Sequence, residues 1–240
     1  MKARDLFKRV QVLIQDEDGM RWPISELCDW LNDGQRAVVE YKPTASTATV
    51  RLDLKAGARQ ELRYPYISIL RIMGNEHTEQ SDGSRRRVPT TADRETLAAF
   101  MPDWQDEHRA KQQARHFLFE ETDPRSFYVY PPNDGTGALS ALVCIVPADV
   151  RPTADPDQLG SYDVPMGLDD MYFNCLVNYV LAYAYLKDAQ FNANAMQRAV
   201  THMQQFGQLL GVRVSMDAFM SPNAKTGIPT VTPGVDNPNG

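Results

Sequence analysis

Three cysteines and four histidines are the residues of this chain best suited to metal or nucleophilic chemistry, and their spacing supports neither. Cys28, Cys144 and Cys175 are scattered, and none stands close enough in sequence to another ligand to suggest a zinc site. They read as buried thiols in a reducing compartment. His77, His108, His116 and His202 are isolated, so packed or solvated imidazoles are expected. Asp16, Glu17 and Asp18 ahead of Gly19 resemble the opening of a calcium loop, but the closing glutamate is missing. Glu120, Glu121 and Asp123 could form a catalytic carboxylate pair; a solvated strand end accounts for them more simply. The run Asp134–Gly135–Thr136–Gly137 could cradle phosphate, yet it joins two strand-like segments instead of opening a helix, which is the position of a hairpin turn. No P-loop, dinucleotide-binding glycine pattern, paired-histidine zinc motif or nucleophile-elbow serine is present. The reading is a protein with no catalytic residue, no metal and no cofactor.

Two features bear on nucleic acid. Arg85, Arg86 and Arg87 could meet phosphates, which requires no motif; the alternative is a solvated loop. Tyr172, Tyr179, Tyr183 and Tyr185 could stack bases, but their helical spacing suits core and subunit contacts better. A net charge of −6 and a pI near 5.2 argue against free nucleic acid or an anionic membrane as the main partner. With 240 residues, 42% hydrophobic and 23% charged, the chain is long enough for one large domain or two modest ones. No stretch approaches the roughly 18 apolar residues of a membrane span, and Met1–Arg9 lacks the apolar core of a signal peptide. Residence in a cytoplasm is therefore expected.

The elements that would position these groups fall into three zones and a tail. Leu6, Val10 and Leu13, with Phe7 and Ile14 beside them, predict a first helix that ends in a turn at 16–19. Ile24, Leu27, Leu31, Val38 and Tyr41 predict a second helix over 24–41, started by Pro23 and ended by Pro43. Gly34 inside it predicts a closely packed neighbouring helix. The second zone alternates. Val50, Leu52 and Leu54 interleave with Arg51 and Asp53, and further strands are expected at 67–73, 116–120, 127–130 and 141–146. Asp93 is placed to cap a short helix containing Leu97 and Phe100. Residues 131–137 (PPNDGTG) carry the turn chemistry to join the last two strands as a hairpin, and the absence of helical crossovers favours an antiparallel sheet or sandwich. The third zone predicts helices over 168–187 and 191–210, the second stopped by Gly211. After Val212, prolines, glycines and asparagines predict an extended arm.

The segment Glu26–Leu27–Cys28–Asp29–Trp30–Leu31–Asn32–Asp33–Gly34–Gln35–Arg36 resembles the E-L-x-x-W-L-N-x-x-Q-R helix of head-to-tail adaptor proteins of short-tailed bacteriophages. Asp123–Pro124 followed by Phe127–Tyr128–Val129–Tyr130–Pro131–Pro132 is similar to that family's strand before its proline turn. Met171–Tyr172, Tyr179 and the run Tyr183 to Ala189 are similar to its first C-terminal helix. Cys28 departs from the family's leucine pair, a loss of packing volume only.

The resemblance implies a structural virion protein at the head–tail junction, assembled in the host cytoplasm. It implies a ring, usually dodecameric, that joins the portal protein to tail hub or nozzle proteins and conducts genomic DNA through its lumen. The expected fold is α+β: a helical bundle from residues 1–43 with 166–211, an inserted antiparallel β-sheet or sandwich over 44–150, and a C-terminal arm over 212–240. Arg85, Arg86 and Arg87 are the candidate DNA contacts. Val214, Met216, Phe219, Met220, Ile228, Val231 and Val235 are spaced along the arm as candidate anchors for the portal. No membrane partner is expected. A DNA-contacting accessory protein, or an enzyme without a recognisable motif, stays open as the alternative.

Overall fold

The computed structural model describes residues 1–76, 88–119, 122–190 and 192–212. The chain divides into two compact units: Met1–Ala45 together with the described residues from Pro147 onward, and Ser46–Val146.

The first unit is helical. α1 (Ala3–Ile14) buries Leu6, Phe7, Val10 and Ile14, whereas Leu13 is 47% exposed, so the stripe runs through Phe7 and Ile14 and not through Leu13. Gln15 ends α1 in the left-handed region at φ 59°. The loop beyond it is organised by one carboxylate. Asp16 accepts backbone N–H bonds from Met20 at 3.1 Å, Arg21 at 3.0 Å and Trp22 at 2.9 Å. Those bonds engage both of its oxygens in closing the turn, and among the described residues no cluster of histidine, cysteine and carboxylate that could hold a metal ion gathers around it.

α2 (Ile24–Tyr41) has the predicted bounds, with Pro23 at its N-cap. Leu27, Leu31 and Val38 are fully buried. A Cβ on Gly34 would stand 2.9 Å from Tyr179 Cδ1 and 3.3 Å from Leu176 Cδ2, so the missing side chain is what lets the helix that carries Leu176 and Tyr179 approach. α4 (Phe173–Asp188) is apolar around most of its circumference and touches α1, α2 and α5 (Ala193–Leu210). It begins later than the expected Leu168. Asp169 accepts the Met171 N–H at 3.0 Å and turns Asp170–Tyr172 into a 3-10 turn first. α5 starts at the Asn192 cap and stops at Gly211, left-handed at φ 75°. No helix among the described residues is long and apolar enough to cross a membrane.

The second unit holds two sheets. β1 (Thr47–Asp53), β7 (Ala138–Ile145) and β3 (Tyr66–Glu76) form one, in the order β1-β7-β3, all antiparallel. β2 (Gly57–Glu61), β6 (Ser126–Asn133), β5 (His116–Phe119) and β4 (Thr90–Thr91) form the other. β4 pairs with β5 in parallel, so the unit is mixed and not purely antiparallel. One buried cluster draws on both sheets: Leu139, Ala141 and Val143 of β7, Ile69 and Ile72 of β3, and Phe117, Phe127 and Val129 of β5 and β6. Leu118 points to the opposite face of its sheet and packs with Ala58, Trp104 and Leu97 of α3 (Arg94–Phe100). Asp93 caps α3 as expected, accepting the Thr96 N–H at 2.8 Å, but Phe100 is 82% exposed and belongs to no core.

The expected hairpin is corrected. β6 and β7 follow one another in the chain yet lie in different sheets, so the link between them crosses from one sheet to the other. β6 itself runs on to Asn133 and contains both prolines. Its ladder with β5 ends at Tyr130, and its ladder with β2 shifts between Gly57 and Arg59. Pro131 and Pro132 therefore enter a central strand where no regular partner requires their missing N–H groups.

Candidate assembly surfaces and the clamp on α2

Inside the helical unit, the chain returning from Val146 is held by polar side chains of α2. Asn32 accepts the Val150 N–H on Oδ1 at 2.7 Å and donates Nδ2 to the Val150 carbonyl at 3.1 Å. Gln35, 1% exposed, donates to the Ala148 carbonyl at 3.3 Å and accepts the Gly167 N–H at 2.7 Å. A Cβ on Gly167 would stand 2.7 Å from the Ala148 carbonyl oxygen, so only glycine lets these two stretches meet beside Gln35. Arg36 reaches Asp149 at 2.5 Å and Asp33 at 3.0 Å across the exposed rim. Leu31 fills the core beneath. Each amide pairs with backbone that no helix or strand satisfies, which is the condition for burying it at all. Sequence reasoning quoted these residues but assigned Asn32 and Gln35 no task. The available signal was two amides three residues apart on an otherwise apolar helix face.

The same device recurs in the β unit. Asn75 pairs both ways with Ala114, at 2.8 and 2.9 Å. Gln60, 3% exposed, closes the β1–β2 turn on Lys55 and Gly57. Asn133 donates to the Lys111 and Gln112 carbonyls and accepts from Gly135 and Gly137.

Among the described residues, the groups of Asp123, Asp134, His116, His202 and the cysteines serve structure. Asp123 is held below the ordinary carboxylate range, first by the Ser126 hydroxyl at 2.6 Å and then by the Arg125 N–H, as it turns the chain into β6. Its sequence companions Glu120 and Glu121, like His77, lie outside the described residues. Asp134 takes both donors of Thr136, so the DGTG run binds itself. His116 stacks on Tyr130 and bonds Thr90 through Nδ1 at 2.7 Å. His202 bonds Asn178 at 2.9 Å and stacks on Tyr185; burial pushes its pKa down. All three cysteines are buried and free. Burial pushes the Cys28 thiol up to about 11, with Asp29 and Asp149 adding to it, and Cys175 up to about 12. Such thiols are poor nucleophiles. Tyr172 and Tyr179 are buried, and burial raises the Tyr179 pKa, so neither offers a face to a base. Among the described residues no cluster of histidine, cysteine and carboxylate could hold a metal ion.

What the surface does offer is apolar. Val12, Leu13 and Met20 are 53, 47 and 85% exposed around the end of α1. Leu209 is exposed on α5, and Phe100, Met101 and Phe119 are exposed in the β unit. A contiguous patch of such side chains marks a surface that meets other proteins, whereas singly exposed ones are ordinary. Arg85, Arg86, Arg87 and the arm residues Val214, Met216, Phe219, Met220, Ile228, Val231 and Val235 lie outside the described residues.

A sequence profile of the SU10 adaptor protein family matches residues 1–226, through both units and beyond the last helix. The chain belongs to the SU10 adaptor protein family. Membership agrees with the head-to-tail adaptor resemblance of the α2 motif, and the clamp shows what the asparagine, glutamine and arginine of that motif do in this chain. It makes the protein a phage structural adaptor, a component of the virion that meets head and tail proteins. A search of curated proteins finds no match to the chain.

Proposed function

We propose that copies of this chain form a ring, dodecameric, between the portal vertex and the tail hub or nozzle, and that its lumen is part of the channel for genomic DNA. The observation that carries this reading is the adaptor family match over residues 1–226. In support, Asp123, Asp134, His116, His202 and the three thiols are tied up in packing and turns, while apolar side chains stand exposed for contacts. A heterologous contact repeated head to tail closes into a ring when the rotation per subunit permits. The net charge of −6 suits a wall past which DNA slides without being trapped by phosphate contacts. The role is mechanical and not enzymatic.

In this reading the N- and C-terminal helices form one bundle that carries the β region as an inserted domain. Arg85, Arg86 and Arg87 touch the genome. The arm, through Val214, Met216, Phe219, Met220, Ile228, Val231 and Val235, docks on the portal. The ring is a virion part at the head–tail junction, assembled in the host cytoplasm on the portal as template. Mixing the chain with its cognate portal and imaging the product tests this: a ring on the portal supports it, and portal particles left bare overturn it.

A further inference from the structure

A sheet edge presents unpaired N–H and C=O groups, and folds blunt such edges with bulges, prolines or shortness. Among the described residues, three of the four edges of the β unit are blunted. β3 shifts register at three places along β7, β2 shifts along β6, and β4 is two residues long. β1 is different. Its seven residues face β7 from Thr47 to Asp53 without a shift, and none is proline. Bonds at the two ends of this ladder, from Ile145 N–H to Ser46 and from Leu54 N–H to Gly137, aim the backbone of even-numbered residues at β7. The N–H and C=O groups of Thr47, Thr49, Arg51 and Asp53 therefore point away from the sheet, and all four residues are exposed. On the core face, Ala48 and Val50 are only half-buried, so cover is missing along this edge.

The described chain ends at Val212, and the residues beyond it include Ile228–Pro229–Thr230–Val231–Thr232–Pro233–Gly234. We propose that residues 228–234 of a neighbouring copy add to β1 as an antiparallel outermost strand. Successive N–H groups of a strand alternate in direction, so two prolines four apart lose their N–H on the same edge. With residues 228, 230, 232 and 234 facing β1, both missing groups lie on the outer edge. Nothing is lost there, and no further strand can add. The same parity sets Ile228, Thr230 and Thr232 beside the exposed side chains of β1, where threonine pairs across strands are favourable. It sets Pro229, Val231 and Pro233 over Ala48 and Val50. A slip of one residue would turn both prolines toward β1 and forfeit two bonds, so the sequence fixes the register parity.

The seat rests on the ring reading, because a neighbour supplies the strand. It reassigns Ile228 and Val231 from the portal to the next subunit's sheet and leaves Val214, Met216, Phe219, Met220 and Val235 for the portal. Hydrogen exchange read by mass spectrometry on the full chain tests it, using a chain whose own arm carries Val231→Asp. A synthetic peptide of residues 226–236 slows exchange of the Thr47, Thr49, Arg51 and Asp53 amides by at least about tenfold. The same peptide with Val231→Asp does not. Thr49→Pro, which removes an outward N–H and leaves the β7 ladder whole, abolishes the protection without lowering the melting temperature. On the cognate portal, mixing the V231D chain with a T49P chain, which keeps an intact arm and lacks the seat, protects the V231D chain. Unchanged exchange with peptide at about 1 mM, protection by the substituted peptide, or no protection in the mixed chains overturns the proposal. Ring formation is read separately: rings on the portal with unprotected β1 amides sink the seat alone, and peptide protection without rings sinks the ring reading alone.

Discussion

Asn32 and Val150 exchange two hydrogen bonds, 2.7 and 3.1 Å long, in which a side-chain amide takes the place of a neighbouring strand. With Gln35 holding Ala148 and Gly167, this pins both ends of the stretch from Ala148 to Gly167 to α2.

Asn32→Ala leaves the Val150 N–H without its partner and its carbonyl with only the weak Cys28 thiol donor at 3.3 Å, and an unsatisfied buried group costs about 1–3 kcal/mol. The melting temperature should fall by about 5–10 °C, and calorimetry checks it. Asn32→Asp keeps the acceptor and loses the donor, so its melting temperature should lie between the two. Equal melting of Asn32→Ala and the parent would mean that the clamp contributes nothing.

Gly34→Ala gains about 1 kcal/mol of helix propensity, yet should still destabilise, because its Cβ meets Tyr179 at 2.9 Å. Gly34→Val should be worse, by about 1–3 kcal/mol of overpacking. Leu31→Asp, at a fully buried position, should unfold the helical unit, since an unpaired buried carboxylate costs several kcal/mol. Far-ultraviolet circular dichroism against temperature separates the three variants.

His202 should make the protein less stable as pH falls. Its folded pKa is depressed, chiefly by burial and also by Arg198, so the unfolded chain takes up the proton first. The penalty is absent above the unfolded value of about 6.5 and grows as pH drops through it toward the folded pKa. His202→Gln should flatten urea-unfolding stability between about pH 7.5 and 5.5. An unchanged slope would show that His202 is not the group responsible.

Replacing Arg85, Arg86 and Arg87 by serine should leave melting and portal attachment as in the parent, since the sequence around the triplet offers almost no apolar side chains to bury. Genome retention in assembled heads should fall. Normal retention and infectivity would return the triplet to a solvated loop.

Elements whose signals are local were readable in the sequence. Pro23 and the Leu27–Leu31–Val38 stripe marked the bounds of α2, Gly34 marked its close neighbour, and Asp93 marked the cap of α3. Partnership was not readable. Residues 131–137 carry genuine turn chemistry, but turn chemistry cannot say which sheet the next strand joins, and here β7 joins the other one. α1 was misphased at Leu13 because Val12, Leu13 and Ile14 are adjacent apolar residues, and only the tertiary contacts choose Ile14 as the buried one. The clamp residues were hidden for a related reason: a buried amide looks like any surface amide until its backbone partners, more than a hundred positions away, are known.

The ring reading is tested most directly by electron cryomicroscopy of cognate portal mixed with the full chain, beside a truncation ending at Val212. The full chain alone should be a monomer or small oligomer in mass photometry at sub-micromolar concentration, and on the portal it should appear as a closed ring. The truncation should fold and leave the portal bare, because the arm supplies the attachment. A stable free ring of the full chain would contradict template-dependent assembly, and wild-type portal attachment by the truncation would remove the arm from the account. A portal left bare by the full chain would contradict the adaptor ring itself.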